Sequence, residues 1–334
     1  MSDTVKKNNR IAYWDNLKCF LIFLVIVGHF LIPLNPTKGS IGAVYKWIYY
    51  FHMPAFVFVS GYFSKSFVKK ENDRVNKLFG YLLLYCIFNF GLWGVDYLLG
   101  FNAKYSPFTV VSAQWYLLAM FIWLAFIPYF KDIKPVIAIT FLVVIGMLIG
   151  MDANAGPFLA LSRVIILMPF FVAGYYIDGG FINKINLFMR LTAAGFLFAV
   201  LVFIYLNQQI TNKYMTVFYC NRGYSVMNVG NTKGCMLRLG FYLITTMMMI
   251  AVMMLIPKKR NLFTFVGERS LGIFIVHRLL RDVVMKTGLY DKLNGGYKSL
   301  IVILAISFAV MMICSIKIID SLFRKIMSIK IVKN

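Results

Sequence analysis

The sequence predicts an all-helical, polytopic integral membrane protein, and three observations carry that reading. Of 334 residues, 60% are hydrophobic and only 14% charged, against roughly a quarter charged in a soluble domain. Several uninterrupted apolar runs reach about 20 residues, the length a helix needs to cross a bilayer. The many cations flank those runs. Lipid offers the backbone no hydrogen-bond partner, so a spanning segment is a helix or part of a closed barrel. These runs do not alternate, which excludes the barrel.

Ten spans follow in order, giving a bundle of about ten transmembrane helices. The first, 14–34, comes after the basic segment VKKNNR and has no small-residue cleavage site, so it is not a cleaved signal. The second, 42–63, and the third, 78–100, are separated by a basic loop at 64–77. The fourth, fifth and sixth, 108–130, 135–151 and 157–177, are joined by short connections, as in a tight bundle. The seventh, 187–206, leads into the one long loop, 207–235, rich in Asn, Gly and Tyr. Long loops on a rigid scaffold often carry binding function. Three more spans, 236–257, 267–287 and 299–320, complete the set. With no internal repeat and no low-complexity segment, one domain over 1–334 is the simplest organisation.

Orientation follows from Lys and Arg in alternate connections. The side holding the N-terminus, 64–77 and the C-terminus carries twenty, the opposite side nine. Both termini are therefore expected in the cytoplasm, and the net charge of +23 is a topology signal and not a nucleic-acid footprint. Five cysteines show no paired zinc or redox spacing. Cys19, Cys86 and Cys314 lie in apolar runs as small hydrophobes, whereas Cys220 and Cys235 bracket a polar stretch within the long loop and could form a disulfide if it faces an oxidising space. No metal cluster and no glycine-rich phosphate loop is present.

Ionisable groups inside spans are expensive and need an internal partner or a task. All three histidines fall there: His29 toward the outer part of the first span, His52 in the second and His277 in the ninth. Arg163 joins them in the outer third of the sixth. A single one of these is as readily a helix-to-helix hydrogen bond, but four at similar depth form a convergent polar cluster. In the first span Asp15, Lys18 and His29 are spaced by near-whole turns and share one stripe. Fourteen residues rise about 21 Å, so Asp15 cannot touch His29 along a straight helix. Asp15 and Lys18 sit at the cytoplasmic mouth and His29 lies deep.

That D-x-x-K…H stripe resembles the first helix of the acyltransferase 3 family of integral-membrane acyltransferases. Four more stretches resemble its fucose 4-O-acetylase-like branch: FHMPAFVFVSGY at 51–62, QWYL at 114–117 with Trp115, SRVIILMPFFVAGYY at 162–176, and GERSLGIFIVH at 267–277 with Glu268 and Ser270. The resemblance implies acetyl-CoA or a related acyl-CoA as donor substrate, with no permanently bound cofactor. The implied acceptor is a hydroxyl of an envelope glycan or lipid-linked saccharide, and the implied place is the inner (plasma) membrane. It implies no nucleic acid, and the chain has no room for the appended extracytoplasmic hydrolase-like domain of some members. The family's basic R-x-x-R element appears as Arg74 and Lys77 with Val75 and Asn76 between them, and the proline that often follows is replaced around Gly80.

The expected chemistry follows. Arg74 and Lys77 meet CoA phosphates, while Lys65, Lys69 and Lys70 serve topology. The pantetheine arm enters past Asp15 and Lys18, and His29 takes the proton of an attacking sugar hydroxyl. Arg163, His277 or Ser270 stabilises the oxyanion or positions the sugar, with His52 a further catalytic candidate. Ser60, in VSGY, reads as a helix-packing position. The rival is a transporter of polysaccharide or a small polar solute, because intramembrane His and Arg also mark transport pathways. Against it, no inverted repeat and no pair of Gly/Pro-broken helices is visible.

Overall fold

A computed structural model describes residues 12–68, 71–101, 105–106, 108–110, 112–156 and 158–330, without the side chains of 71–73. Lys69, Lys70 and the basic N-terminal segment lie outside the described residues. Those described are helical apart from loops, turns and one isolated bridge between Thr109 and Phe158. In order the helices are α1 Ala12–Leu31, α2 Gly39–Tyr49, α3 His52–Val68, α4 Glu71–Leu98, α5 Trp115–Phe126, α6 Pro135–Leu148, α7 Leu161–Tyr176 and α8 Phe181–Lys184. Then come α9 Leu187–Leu206, α10 Gln208–Lys213, α11 Met215–Tyr219, α12 Asn231–Leu255, α13 Thr264–Glu268, α14 Ser270–Lys286, α15 Tyr297–Cys314 and α16 Lys317–Met327. Five are long and apolar enough to cross a membrane: α1 with the turn after it, α4, α9, α12 and α15. Three shorter apolar helices, α5, α6 and α7, accompany them.

The expected second span is two helices. Pro54 has no N–H to give to the carbonyl four residues back, at Tyr50. That carbonyl instead accepts from Thr245 Oγ1 at 2.7 Å, and the Ile48 carbonyl accepts from the His52 ring at 2.8 Å. The chain breaks at 50–51 with both groups satisfied. The sixth span begins at Leu161 and not at 157, because Leu159 and Ala160 have φ of 50° and 51°, outside the right-handed helical region. The tenth ends at Cys314, and α16 follows as a short amphipathic helix.

Backbones approach closely where small residues permit it. A methyl at Gly61 of α3 would lie 1.9 Å from the Phe171 oxygen, and one at Gly174 of α7 would lie 1.9 Å from the Phe58 oxygen. The glycine of VSGY is therefore a packing residue. Gly267 seats α13 on α1 in the same way, 1.8 Å from the Asp15 oxygen. The first helix is consequently enclosed, and most of its residues are buried. The 207–235 segment is ordered by α10, α11 and bonds to the start of α2. Gln208 exchanges two hydrogen bonds with Gly39, and Asn212 donates to the Thr37 carbonyl. Cys220 and Cys235 are free thiols and not a disulfide. Each is turned to its own partner: Arg238 donates to Cys220 Sγ at 3.4 Å, and Cys235 Sγ points at the Met147 carbonyl.

Candidate active site

Two cavities lie at opposite ends of α1. His29 marks one and Lys18 the other, eleven residues or about 16 Å apart along the helix. The cavity at the His29 end holds about 360 Å³. α1 supplies His29, α3 supplies His52, α5 supplies Trp115, and α7 supplies Arg163. Of the four residues expected to cluster, His29, His52 and Arg163 line this one cavity. His29 is half-buried, and its Nδ1 is buried with no hydrogen-bond partner among the described residues. His277 is fully buried behind it, with ring centroids 5.2 Å apart. The His277 Nδ1 lies 2.9 Å from the Ile273 carbonyl, which can only accept, so that nitrogen carries the proton and Nε2 keeps its lone pair. His52 is fixed in the same tautomer by the Ile48 carbonyl. One ring open to the cavity, with an unengaged nitrogen and a second imidazole behind it, is a group able to take and return a proton.

Arg163 donates from Nε to the Tyr219 carbonyl at 3.1 Å and lies over the Trp115 ring at 5.5 Å. Tyr45, Tyr49 and Tyr219 form an aromatic wall, with the Tyr219 hydroxyl donating to Tyr45 at 3.1 Å. From α14, Arg278 and Arg281 also reach this cavity, and both bond the buried Asp282.

The cavity at the Lys18 end holds about 510 Å³. Lys18, Lys77, Glu268 and Ser270 line it, together with Arg324 and Ser328 after α15. Lys18 pairs at 2.8 Å with Asp15, which is buried beneath the cavity. Arg74 does not line it. Ser270 and Glu268 belong to this cavity and not to the histidines, because Ser270 precedes His277 by about two helical turns. The expectation that Ser270 serves an oxyanion beside His29 is thereby corrected. Ser60 also lines it. Its single proton goes to the Phe56 carbonyl at 2.8 Å, so the Tyr116 hydroxyl, 2.5 Å away, is the donor to Ser60.

Between the cavities stands an aromatic layer. Phe274 lines both, and the Tyr116 ring lies 5.1 Å from it and 5.6 Å from Phe56. A thin side-chain partition thus separates a lysine-bearing cavity from a histidine-bearing one. Comparison with known proteins decides the class: a family model described as an acyltransferase domain, acyltransferase 3, matches residues 11–319. The chain belongs to the acyltransferase 3 family.

Among relatives, this acyltransferase-family chain is 33% identical over 138 residues to the nodulation protein NolL of Mesorhizobium japonicum. It is 36% identical over 88 residues to the nodulation protein NolL of Sinorhizobium fredii. The matches cover 36% and 24% of this chain, and 35% and 24% of those proteins. The chain thus spans about a third or less of the length of the curated relatives it matches. No solved structure matches it. The cavities also hold residues that sequence reasoning passed over. Arg281 is four residues beyond His277 and shares its helix face, a signal present in the sequence. Tyr45 and Tyr49 share a face of α2 by the same spacing, whereas Tyr219 comes from α11 and no local signal ties it to them.

Proposed function

We propose that the protein is an O-acyltransferase of the plasma membrane that moves an acetyl group from cytoplasmic acetyl-CoA to a hydroxyl of an envelope carbohydrate. The observation that carries this reading is the pair of cavities back to back across the Phe56–Tyr116–Phe274 layer, one cationic and one holding His29. CoA is an anionic carrier, and Lys18, Lys77 and Arg324 suit its phosphates. The thioester arm then passes the aromatic layer toward His29, a path of about 16 Å. His29 accepts the proton of the acceptor hydroxyl as its oxygen bonds to the thioester carbon. Arg163 positions the acceptor sugar beside His29. The carbon–sulfur bond breaks, and His29 returns the proton to the departing thiolate. His277 is a positioning residue that fixes the His29 ring from behind.

In this reading the bundle has about ten spans and both termini in the cytoplasm, which puts the lysine cavity on the side where acyl-CoA is made. Two cavities divided by a thin partition also suit a transporter, and one experiment separates the two readings. Purified protein in detergent is given acetyl-CoA with and without the host's envelope glycan. Thiol release that depends on glycan, with new O-acetyl signals in its NMR spectrum, supports the acyltransferase. Uptake of glycan into vesicles without thiol release supports the transporter.

A further inference from the structure

The histidine cavity carries more positive charge than a neutral sugar needs. Arg163, Arg278 and Arg281 line it, and no carboxylate does among the described residues. Asp282, buried behind, answers Arg278 and Arg281, and Asp96 stands beside Asp282 within side-chain hydrogen-bond reach. At most, therefore, the two carboxylates balance the two guanidiniums of α14. Arg163 has no ion pair among the described residues. Its Nη1 and Nη2 find no acceptor there, and neither is sealed from the cavity. Arg278 keeps Nη2 and Arg281 keeps Nη1 in the same condition, because their bonds to Ser112 and Asp282 use other nitrogens. Behind the wall Arg238 is fully buried, bonded to the Val217 carbonyl and Cys220, again with no carboxylate.

Charged side chains within a membrane bundle are expensive unless matched. Guanidinium forks match planar oxyanions, carboxylate or phosphate, and do so in pairs. A neutral hexose asks for no such excess; the tyrosine wall and single hydrogen bonds suffice for it. The three arginines lie with the His29 end of α1, away from the lysine cavity by which the donor enters in the proposed function. The charge they await is thus on the acceptor.

We infer that the acceptor is an anionic saccharide, whose carboxylate or phosphate is held by Arg163 with Arg278 and Arg281 while a neighbouring hydroxyl faces His29. This rests on the proposed function for the identity of the two cavities. The shared chemistry is an oxyanion on the sugar, from an acidic sugar or from a sugar phosphate such as the linkage of a lipid-carried glycan.

The test titrates wild-type protein in detergent with glucose, glucuronate and glucose 1-phosphate at one ionic strength, following ligand signals by saturation-transfer NMR. One or both anionic sugars bind at least about tenfold more tightly than glucose, the effect of one good charge-assisted contact. Preference for glucuronate alone assigns an acidic sugar, and preference for glucose 1-phosphate alone assigns a phosphate. In R163Q and R281Q, checked for monodisperse elution, the preference falls to within about threefold. Equal binding of all three, undetectable binding included, overturns the inference, as does a preference that survives both variants. Variants that alter only the choice between acetyl-CoA and succinyl-CoA also overturn it, by moving the charge to the acyl group. Thioester turnover of the wild type, measured in the same preparation, keeps the proposed function separate: turnover without anion preference sinks only this inference.

Discussion

The lysine cavity makes a quantitative demand on the donor. Lys77 and Arg324 both line it, and both are largely exposed, Arg324 at 54% of its side chain. Exposed charges are screened, so each contact with a CoA phosphate contributes about 0.5–1 kcal/mol and not the two or three of a buried pair. Losing both removes about 1–2 kcal/mol, which corresponds to a KM for acetyl-CoA raised about five- to thirtyfold with kcat little changed. The perturbation is the double variant K77Q/R324Q, compared at matched monodisperse protein because Arg324 also pairs with the buried Asp320. Lys18 is the wrong choice: it pairs with the buried Asp15, so its loss would act on stability as well as on donor binding. The assay compares acetyl-CoA with S-acetyl-pantetheine, which carries no phosphate. The double variant should lose affinity for the first and not the second, and R74Q should stay within about twofold of wild type. An equal rise for both donors would refute the assignment of these charges to phosphate.

The remaining predictions concern the fold. In cells with Cys86 and Cys235 replaced, a cysteine at Lys213 should react with an impermeant thiol reagent from outside, whereas one at Ser66 should react only after permeabilisation; the reverse pattern would invert the bundle. Thr245→Val strands the Tyr50 carbonyl freed by Pro54 and should cost about 1–3 kcal/mol in a detergent thermal melt, with Thr245→Ser largely restoring it. An unaltered melt would mean that the α2–α3 break does not depend on that bond.

What was legible in the sequence was what apolar length and helical period encode. The seventh span coincides with α9, and the fifth with α6 and the turn that follows it. The gathering of His29, His52 and Arg163 in one cavity, with His277 behind, followed from their similar depth in separate spans. The break at 50–51 was not legible, because the partner that makes it tolerable, Thr245, lies 195 residues away. Leu159 and Ala160 gave no warning either; their left-handed backbone directly follows the isolated pairing of Thr109 with Phe158. One stretch, GERSLGIFIVH, carries Glu268 and Ser270 at the lysine cavity and, about two turns on, His277 buried behind His29 at the other. Sequence adjacency conceals that separation, and only the rise of α14 reveals it.

His29 bears the central claim, and its test compares two substitutions. His29→Ala and His29→Gln are purified, matched for monodisperse protein in detergent, and assayed for glycan-dependent release of thiol from acetyl-CoA. A general base contributes about 10²–10⁴ to the rate, and Gln retains a hydrogen bond but shuttles no proton. The account predicts that both variants elute as folded protein and that both fall by about that factor. Activity near wild type in His29→Gln, with protein lost in His29→Ala, would contradict it and leave His29 a packing residue.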